Sequence, residues 1–313
     1  MLQARRSLLR LLVNMGMTGI IIKALSGFYY VESSDKIYEC KARGSFRKNG
    51  VSPLVGDKVE IDIIDDTHGV VDLILDRKNL LARPNVANID KLFIVSAFQT
   101  PAPNAYIIDK ITAIAVYNNI EPIIVFNKCD MGDFGNWLEI YNNAGFKTYV
   151  VSAETGEGID ALKSELEGVT SAFTGNSGVG KSSILNRLFG ECVIKTGEVS
   201  QTLGRGRHTT RHIEAYKLSF GGYVVDTPGF SSIENEEHEY TFKERLPELF
   251  LDFCDYIDNC RFTGCSHTKE KGCAVIAAVE NGEIEKTRHQ SYLQLTEELK
   301  DLKPWESANY KKR

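Results

Sequence analysis

No apolar run in the sequence approaches the ~18–20 residues of a membrane-spanning helix, so no membrane is expected as a partner. Positive charge is not in excess either. Lys and Arg number 37 against 42 Asp and Glu, a net charge of −5, so any RNA contact needs a local basic patch. There is no even, regular set of cysteines. Seven are present and unevenly clustered, which argues against a secreted disulfide framework. Internal repeats and low-complexity tracts are also lacking. The first sixteen residues, MLQARRSLLRLLVNMG, contain no acid and no small-residue cleavage site. They read as a disordered extension rather than a targeting peptide or surface helix, with Met17 a candidate natural start. A cytoplasmic monomer is expected.

What is there fits a multidomain protein of 313 residues with 42% apolar and 25% charged content. From Thr18 to about Leu75, five short apolar runs separated by turn residues (TGIIIKALSG, FYYVES, KIYECKARG, GDKVEIDII, GVVDLILD) predict strands of a small barrel. An OB-type β-barrel over 17–82 is the economical choice. Its basic loop around Lys41, Arg43, Arg47 and Lys48, with Phe46, suits RNA backbone contact and stacking, or is a solvated tip. LLARPNVANID (80–90) has no period and reads as a linker. Strands and helices then alternate, which predicts an α/β domain with a mostly parallel sheet over 83–235. The remainder, 236–313, reads as helical and polar, interrupted by a cysteine cluster.

GNSGVGKS (175–182) matches the phosphate-loop pattern G-x-x-x-x-G-K-[ST], with an apolar strand before it and a helix after it. Gly175, Asn176, Ser177, Gly178, Val179 and Gly180 would turn backbone N–H groups toward phosphate oxygens, helped by the following helix N-terminus. Lys181 reaches the β and γ phosphates, Ser182 can ligate Mg²⁺, and Ser183 continues the helix. NKCD (127–130) selects GTP over ATP. Asp130 can accept from the paired N–H donors of the guanine edge, Asn127 can hold the O6 side and the loop, and the Lys128 stem can lie over the base. SAETG (152–156) supplies Ser152 and the Ala153 N–H, directed at guanine O6. DTPG (226–229) supplies Asp226 for Mg²⁺ through water and the Gly229 N–H for the γ-phosphate. GRGRHTT (204–210) supplies Thr209 and Thr210, one of which can ligate Mg²⁺ when GTP is bound.

The order of these elements is unusual. The base tetrad and SAETG precede the phosphate loop, the threonines and DTPG, a rotation of the usual GTPase order. Domain termini commonly lie close together, so a chain can be re-cut without losing its fold. A small barrel, a circularly permuted GTPase and a compact cysteine-rich domain together resemble the RsgA family, the small-ribosomal-subunit biogenesis GTPases of bacteria. The resemblance covers nearly all of the chain from Met17, and its most specific elements are the motif order, GRGRHTT and the cysteine pattern. It implies an OB barrel, a permuted P-loop G domain and a zinc-binding helical domain. It also implies GTP hydrolysis to GDP stimulated by the small ribosomal subunit and its rRNA, in late maturation of that subunit.

Ras-type enzymes place a water-orienting Gln after the DxxG glycine. This chain has Phe230 there. His208, beside the switch threonines, is the best replacement, and the resemblance points to it too; contact with RNA or ordering of the loop are the alternatives. Arg205 and Arg207 suit either γ-phosphate charge or rRNA phosphates. CRFTGCSHTKEKGC (260–273) has the spacing C-x4-C-x-H-x5-C, three thiolates and an imidazole for a closed structural Zn²⁺ site. Cys254 lies close, on the apolar side of a predicted helix LPELFLDFCDYI, so five candidates compete for four places. The resemblance selects Cys260, Cys265, His267 and Cys273. In the last helix, Lys286, Arg288 and His289 are candidates for RNA contact or for a solvated face.

Overall fold

A computed structural model describes residues 16–48, 50–82, 85–190, 213–226 and 240–303. The five runs of alternating burial near the N-terminus form strands β1 (Met17–Leu25), β2 (Phe28–Ser33), β3 (Lys36–Ala42), β4 (Lys58–Ile63) and β5 (His68–Ile74). They pair in the order β1-β2-β3-β5-β4, and β4 returns to β1, which closes a barrel. Only β3 and β5 run parallel. Ile21, Val31, Cys40, Val59, Ile61 and Val71 fill the interior. The basic stretch between β3 and β4 is not wholly a loop, because Gly44–Lys48 forms one short helix, α1.

Residues 80–90 are not a linker. Strands β6 (Leu80–Ala82) and β7 (Asn85–Ala87) make a hairpin. Leu81, Val86, Ala87 and Ile89 are buried. The Ala87 N–H donates to Val55 O at 3.0 Å, and Asn88 Nδ2 donates to Gly56 O at 2.9 Å. The stretch lacks a readable period because it is too short for one and is buried on the barrel through its backbone.

The next part is a parallel sheet. Its strands are β8 (Lys91–Ala97), β9 (Glu121–Asn127), β10 (Lys147–Val151), β11 (Thr170–Thr174) and β13 (Tyr223–Asp226), with β12 (Glu214–Lys217) antiparallel to β13. The order in space is β10-β9-β8-β11-β13-β12. KLFIVSA at β8 is almost entirely apolar because helices cover both faces. On one face, α2 (Ala105–Tyr117) and α3 (Gly135–Asn143) bury Ile108, Ile111, Ile114 and Ile140 against Leu92, Ile94, Ile124 and Phe126. On the other, α4 (Ile159–Leu166) and α5 (Lys181–Phe189) bury Leu162, Leu166, Ile184 and Leu188 against Phe93, Val95 and Phe173. Asn104 caps α2 by accepting the Ile107 N–H at 3.2 Å.

Strand β12 pairs with β1 at Lys23↔Glu214, so barrel and α/β sheet form one ladder. Lys217 Nζ reinforces the joint, reaching Glu32 at 2.6 Å and Asp35 at 2.7 Å. The C-terminal part holds α6 (Tyr240–Leu249), α7 (Ala274–Asn281) and α8 (Lys286–Leu299), and it shares the core that covers the α2 face. The predicted helix through Cys254 is shorter than expected. The chain leaves α6 after Leu249, Phe250 is extended, and only a single turn spans Leu251–Phe253. Cys254 is exposed.

Candidate nucleotide site and metal centre

Because β8, β9, β10, β11 and β13 run parallel, their C-terminal ends share one edge. That edge carries NKCD after β9, SAETG after β10, the phosphate loop after β11 and Asp226 at the end of β13. The unusual order along the chain thus becomes a compact arrangement in space.

The phosphate loop is shaped by two close approaches. Gly175 has φ +133°, and a Cβ there would run into Val95 O. Gly180, the N-cap of α5, has φ +95°, and a Cβ there would meet Asn127 Nδ2. Only glycine fits both positions. Val179 turns its side chain into the core, leaving only backbone for a ligand. Lys181 Nζ donates to Gly175 O at 2.5 Å and Asn176 O at 2.9 Å, so it arches over the loop where phosphates would lie. Burial pushes its pKa down. Ser182 is half-buried in the first turn of α5, while Ser177, Gly178 and Ser183 are exposed. This cradle of N–H groups, one ammonium and a helix N-terminus fits a polyphosphate with its Mg²⁺.

Asn127 is 1% exposed and fastens three motifs together. Its Nδ2 donates to Val179 O at 2.8 Å, and its Oδ1 accepts the Ala153 N–H at 3.1 Å. The sequence reading gave Asn127 the O6 side of guanine and the loop itself; the structure shows the hold on the loop, through Val179 O, and joins Asn127 to the Ala153 N–H as well. Lys128 adopts φ +68° and is half-exposed. Asp130 is exposed, and its carboxylate accepts from Ser152 Oγ at 2.5 Å. Ser152 is fully buried and also accepts the Thr155 N–H on Oγ at 3.1 Å, which orients the carboxylate and shapes the turn. Arg187 belongs to no motif and was not foreseen. It reaches from α5 to the carbonyls of Ala153 and Glu154. The backbone of Asp226 lies at the edge, paired with Glu214. His208, Thr209, Thr210, Gly229 and Phe230 lie outside the described residues.

The second centre lies in the stretch that joins α6 to α7, with Cys273 as the N-cap of α7. Ligand atoms of Cys260, Cys265, His267 and Cys273 all fall within 4.8 Å of one another. Cys260 Sγ is 3.8 Å from Cys273 Sγ, and His267 Nδ1 is 3.5 and 3.4 Å from those two sulfurs. Ligands on a Zn²⁺ tetrahedron stand ~3.8 Å apart for S···S and ~3.6 Å for S···N, so the set fits that ion. The Ala274 and Ile276 N–H groups, at the start of α7, point at Cys260 and Cys273 sulfur at 3.4 and 3.5 Å. Burial, with the neighbouring thiols, pushes the Cys273 thiol up to about 12, so thiolates here need a cation. Cys254 is not in the set.

The residues expected to meet RNA are placed differently. Arg288 is 1% exposed and paired to Asp109 and Asp252. His289 Nε2 lies 2.8 Å from His267 O and so supports the metal loop. Lys286 remains exposed. In the barrel, Arg43 is ion-paired with Asp62 and Asp72, Lys41 lies 5.0 Å from the Phe28 ring, and Phe46 is half-buried against the core. Nothing is described of the side chains of Arg47 and Lys48.

A five-stranded parallel core with a phosphate loop and a guanine-type tetrad on one edge, joined in rotated order, defines a circularly permuted P-loop GTPase. Comparison with known proteins agrees. A family profile described as RsgA GTPase matches residues 74–236, and one described as RsgA N-terminal domain matches residues 18–71. A protein of Caldanaerobacter subterraneus named small ribosomal subunit biogenesis GTPase RsgA is 45% identical over 94% of this chain and 98% of its own. One of the same name from Ruminiclostridium cellulolyticum is 45% identical over 91% and 94%. Among solved structures, YjeQ from Thermotoga maritima superposes with a TM-score of 0.80 at 36% identity, covering 92% of this chain and all of that one. YloQ, described as a circularly permuted GTPase, gives 0.77 at 35% identity over 93% and 97%. The chain belongs to the RsgA GTPase family.

Proposed function

We propose that the chain binds the small ribosomal subunit through its rRNA, acts in the late maturation of that subunit, and hydrolyses GTP to GDP and phosphate fastest when so bound. The observation that carries the enzymatic part is the Asn127 bridge, which joins base tetrad, SAETG turn and phosphate loop into one site. The ribosomal part is supported by the names of relatives that match over nearly their whole length.

In this reading, Asp130, oriented by Ser152, reads the guanine edge beside Asn127, Lys128 and Ala153. Backbone N–H groups from Gly175 to Ser183 hold the phosphates, and Lys181 neutralises charge at the β and γ positions. Ser182, Asp226 and one of Thr209 and Thr210 hold Mg²⁺, which supplies charge neutralisation at the transferring phosphoryl group. Gly229 meets the γ-phosphate. His208 orients the attacking water in place of the missing glutamine. One structural Zn²⁺ held by Cys260, Cys265, His267 and Cys273 stabilises the C-terminal part. The working units are an extension (1–16), the OB barrel (17–82), the G domain (83–235) and the zinc-binding domain (236–313), in a cytoplasmic monomer. No helix among the described residues is long and apolar enough to cross a membrane.

The test is GTP turnover by the purified protein, alone and with added small subunits, with ATP and large subunits as controls. A slow basal rate that rises strongly only with GTP and small subunits supports the proposal; a rate indifferent to subunits refutes the partner. His208→Ala with unchanged stimulated turnover refutes the role given to that histidine.

A further inference from the structure

One side chain outside every motif ties the SAETG turn to the phosphate-loop helix. Arg187 stands on α5 four residues beyond Ser183, hence on the same helix face. Its Nε donates to Ala153 O at 2.8 Å, and its Nη2 donates to Glu154 O. A Cβ on Gly156 would lie 3.9 Å from its Nη1, so the guanidinium spans the turn. Ala153 is therefore held from both ends, its N–H by Asn127 at 3.1 Å and its carbonyl by Arg187. Ser152, next in the chain, orients Asp130 at 2.5 Å.

We infer that Arg187 is a positioning residue for guanine selection, gripping the carbonyls of Ala153 and Glu154 so that Ser152 and Ala153 stay registered on the base edge. The inference rests on the base-reading role proposed above for Asp130, Ser152 and Ala153. The bonds that Arg187 makes go to main-chain carbonyls of the turn, so it acts on the base through Ser152 and Ala153. Its rigid fork suits two consecutive carbonyls, and a lysine, with one point charge on a flexible stem, reproduces only part of that grip. Without it the turn keeps the Asn127 bond and its own internal bonds, but nothing ties it to α5 through these carbonyls. Base selection and phosphate binding thus share one helix, since α5 presents Lys181 at its start and Arg187 in its last turn.

The test is competition binding of GDP and ADP to the full-length protein, comparing wild type, Arg187→Met and Arg187→Lys. Methionine keeps the apolar stem and helix propensity while removing the donors. Arg187→Met is expected to raise the Kd for GDP roughly tenfold, about 1.4 kcal/mol, and to leave the weak Kd for ADP unchanged. Arg187→Lys is expected to recover part of the loss. A GDP affinity that does not change, or GDP and ADP weakened by the same factor, overturns the inference; the second result marks a merely structural arginine. If wild type does not prefer GDP to ADP, the guanine reading falls and the inference with it. If wild type and Arg187→Met prefer GDP equally, only the inference falls. Should Arg187→Met fail to fold, Arg187→Lys carries the same comparison.

Discussion

Arg288 Nη1 donates to Asp109 Oδ1 at 2.7 Å, and both side chains are closed to solvent. Asp109 belongs to α2 of the nucleotide-binding sheet, while Arg288 belongs to α8 behind the metal cluster. The other edge of the guanidinium meets Asp252 at 2.7 and 3.2 Å, and the rings of Phe146 and Phe250 lie 5.2 and 4.8 Å from it. Burial pushes the Asp109 carboxyl up, and the Arg288 guanidinium beside it opposes that push. The pair thereby welds the C-terminal helices to the sheet.

Removing one partner of a buried ion pair leaves an uncompensated charge and costs ~3–5 kcal/mol. Arg288→Met is expected to lower the melting temperature sharply, and Lys286→Ala, on the exposed face, to leave it unchanged. Thermal melts of both variants beside an rRNA-binding assay check this. An Arg288→Met protein that melted like wild type but lost RNA affinity would restore the RNA-contact reading of that residue.

Arg288 also shows where the sequence stops being legible. The motifs that bind a nucleotide are written in consecutive residues, so phosphate loop and tetrad are legible from spacing, whereas spacing leaves five candidates for the zinc site and the family resemblance selects four of them. The strands were found too, because burial imposes a period of two on the barrel and continuous apolar runs on β8 and β9. Pairings between distant residues leave no such mark. Arg288 on a helix rich in polar residues looks solvated until Asp109, 179 residues away, is placed beside it. The same holds for His289 against His267 O and for Arg187 against Ala153 O. The hairpin at 80–87 has no local signature because it is tied to the barrel by the Ala87 N–H on Val55 O and, just beyond it, the Asn88 side chain on Gly56 O, which no local pattern encodes.

Asn127 holds two loops with one amide, and the prediction for it follows from that geometry. Asn127→Ala leaves Val179 O and the Ala153 N–H without these partners in a buried place. Each buried orphan costs ~1–3 kcal/mol. The Kd for GDP is expected to rise about a hundredfold or more, read by calorimetric titration. Asn127→Asp keeps an acceptor for Ala153 but sets a carboxylate against the Val179 carbonyl, so it is expected to be no better than Ala.

Glu165 makes stability depend on acid. Burial alone would raise its pKa, but hydrogen bonds from Lys91 at 2.5 Å, Tyr149 at 2.7 Å and Lys147 outweigh it and hold it at about 2. A depressed folded-state pKa adds stability that is fully present above the unfolded value of 4.5 and is lost as pH falls toward about 2. After solvent screening the contribution is on the order of 1–2 kcal/mol. Glu165→Gln is therefore expected to melt below wild type at neutral pH, with the gap closing as the pH is lowered through that window. A gap independent of pH would mean that Glu165 acts through packing alone.

Removal of the metal should loosen the molecule in a particular order. The four candidate ligands sit on a loop whose shape is held by α8, through His289 to His267 O at 2.8 Å and Tyr292 Oη to Ser266 O at 2.9 Å. Without a cation, the Cys273 thiol, which burial pushes up, keeps its proton, and the set loses the ion that would hold its four ligands together. Cys265→Ser or prolonged chelation is expected to abolish the single equivalent of bound zinc and to speed amide exchange first in α7 and α8. Exchange in α2 should follow, because Arg288 and Glu298 of α8 pair with its Asp109 and Lys110. Strands β8 and β11, buried between helices that the cluster does not touch, should respond last. Hydrogen exchange resolved by segment reads this order directly. Equal acceleration in all three regions would make the metal a global support rather than one that acts through α8.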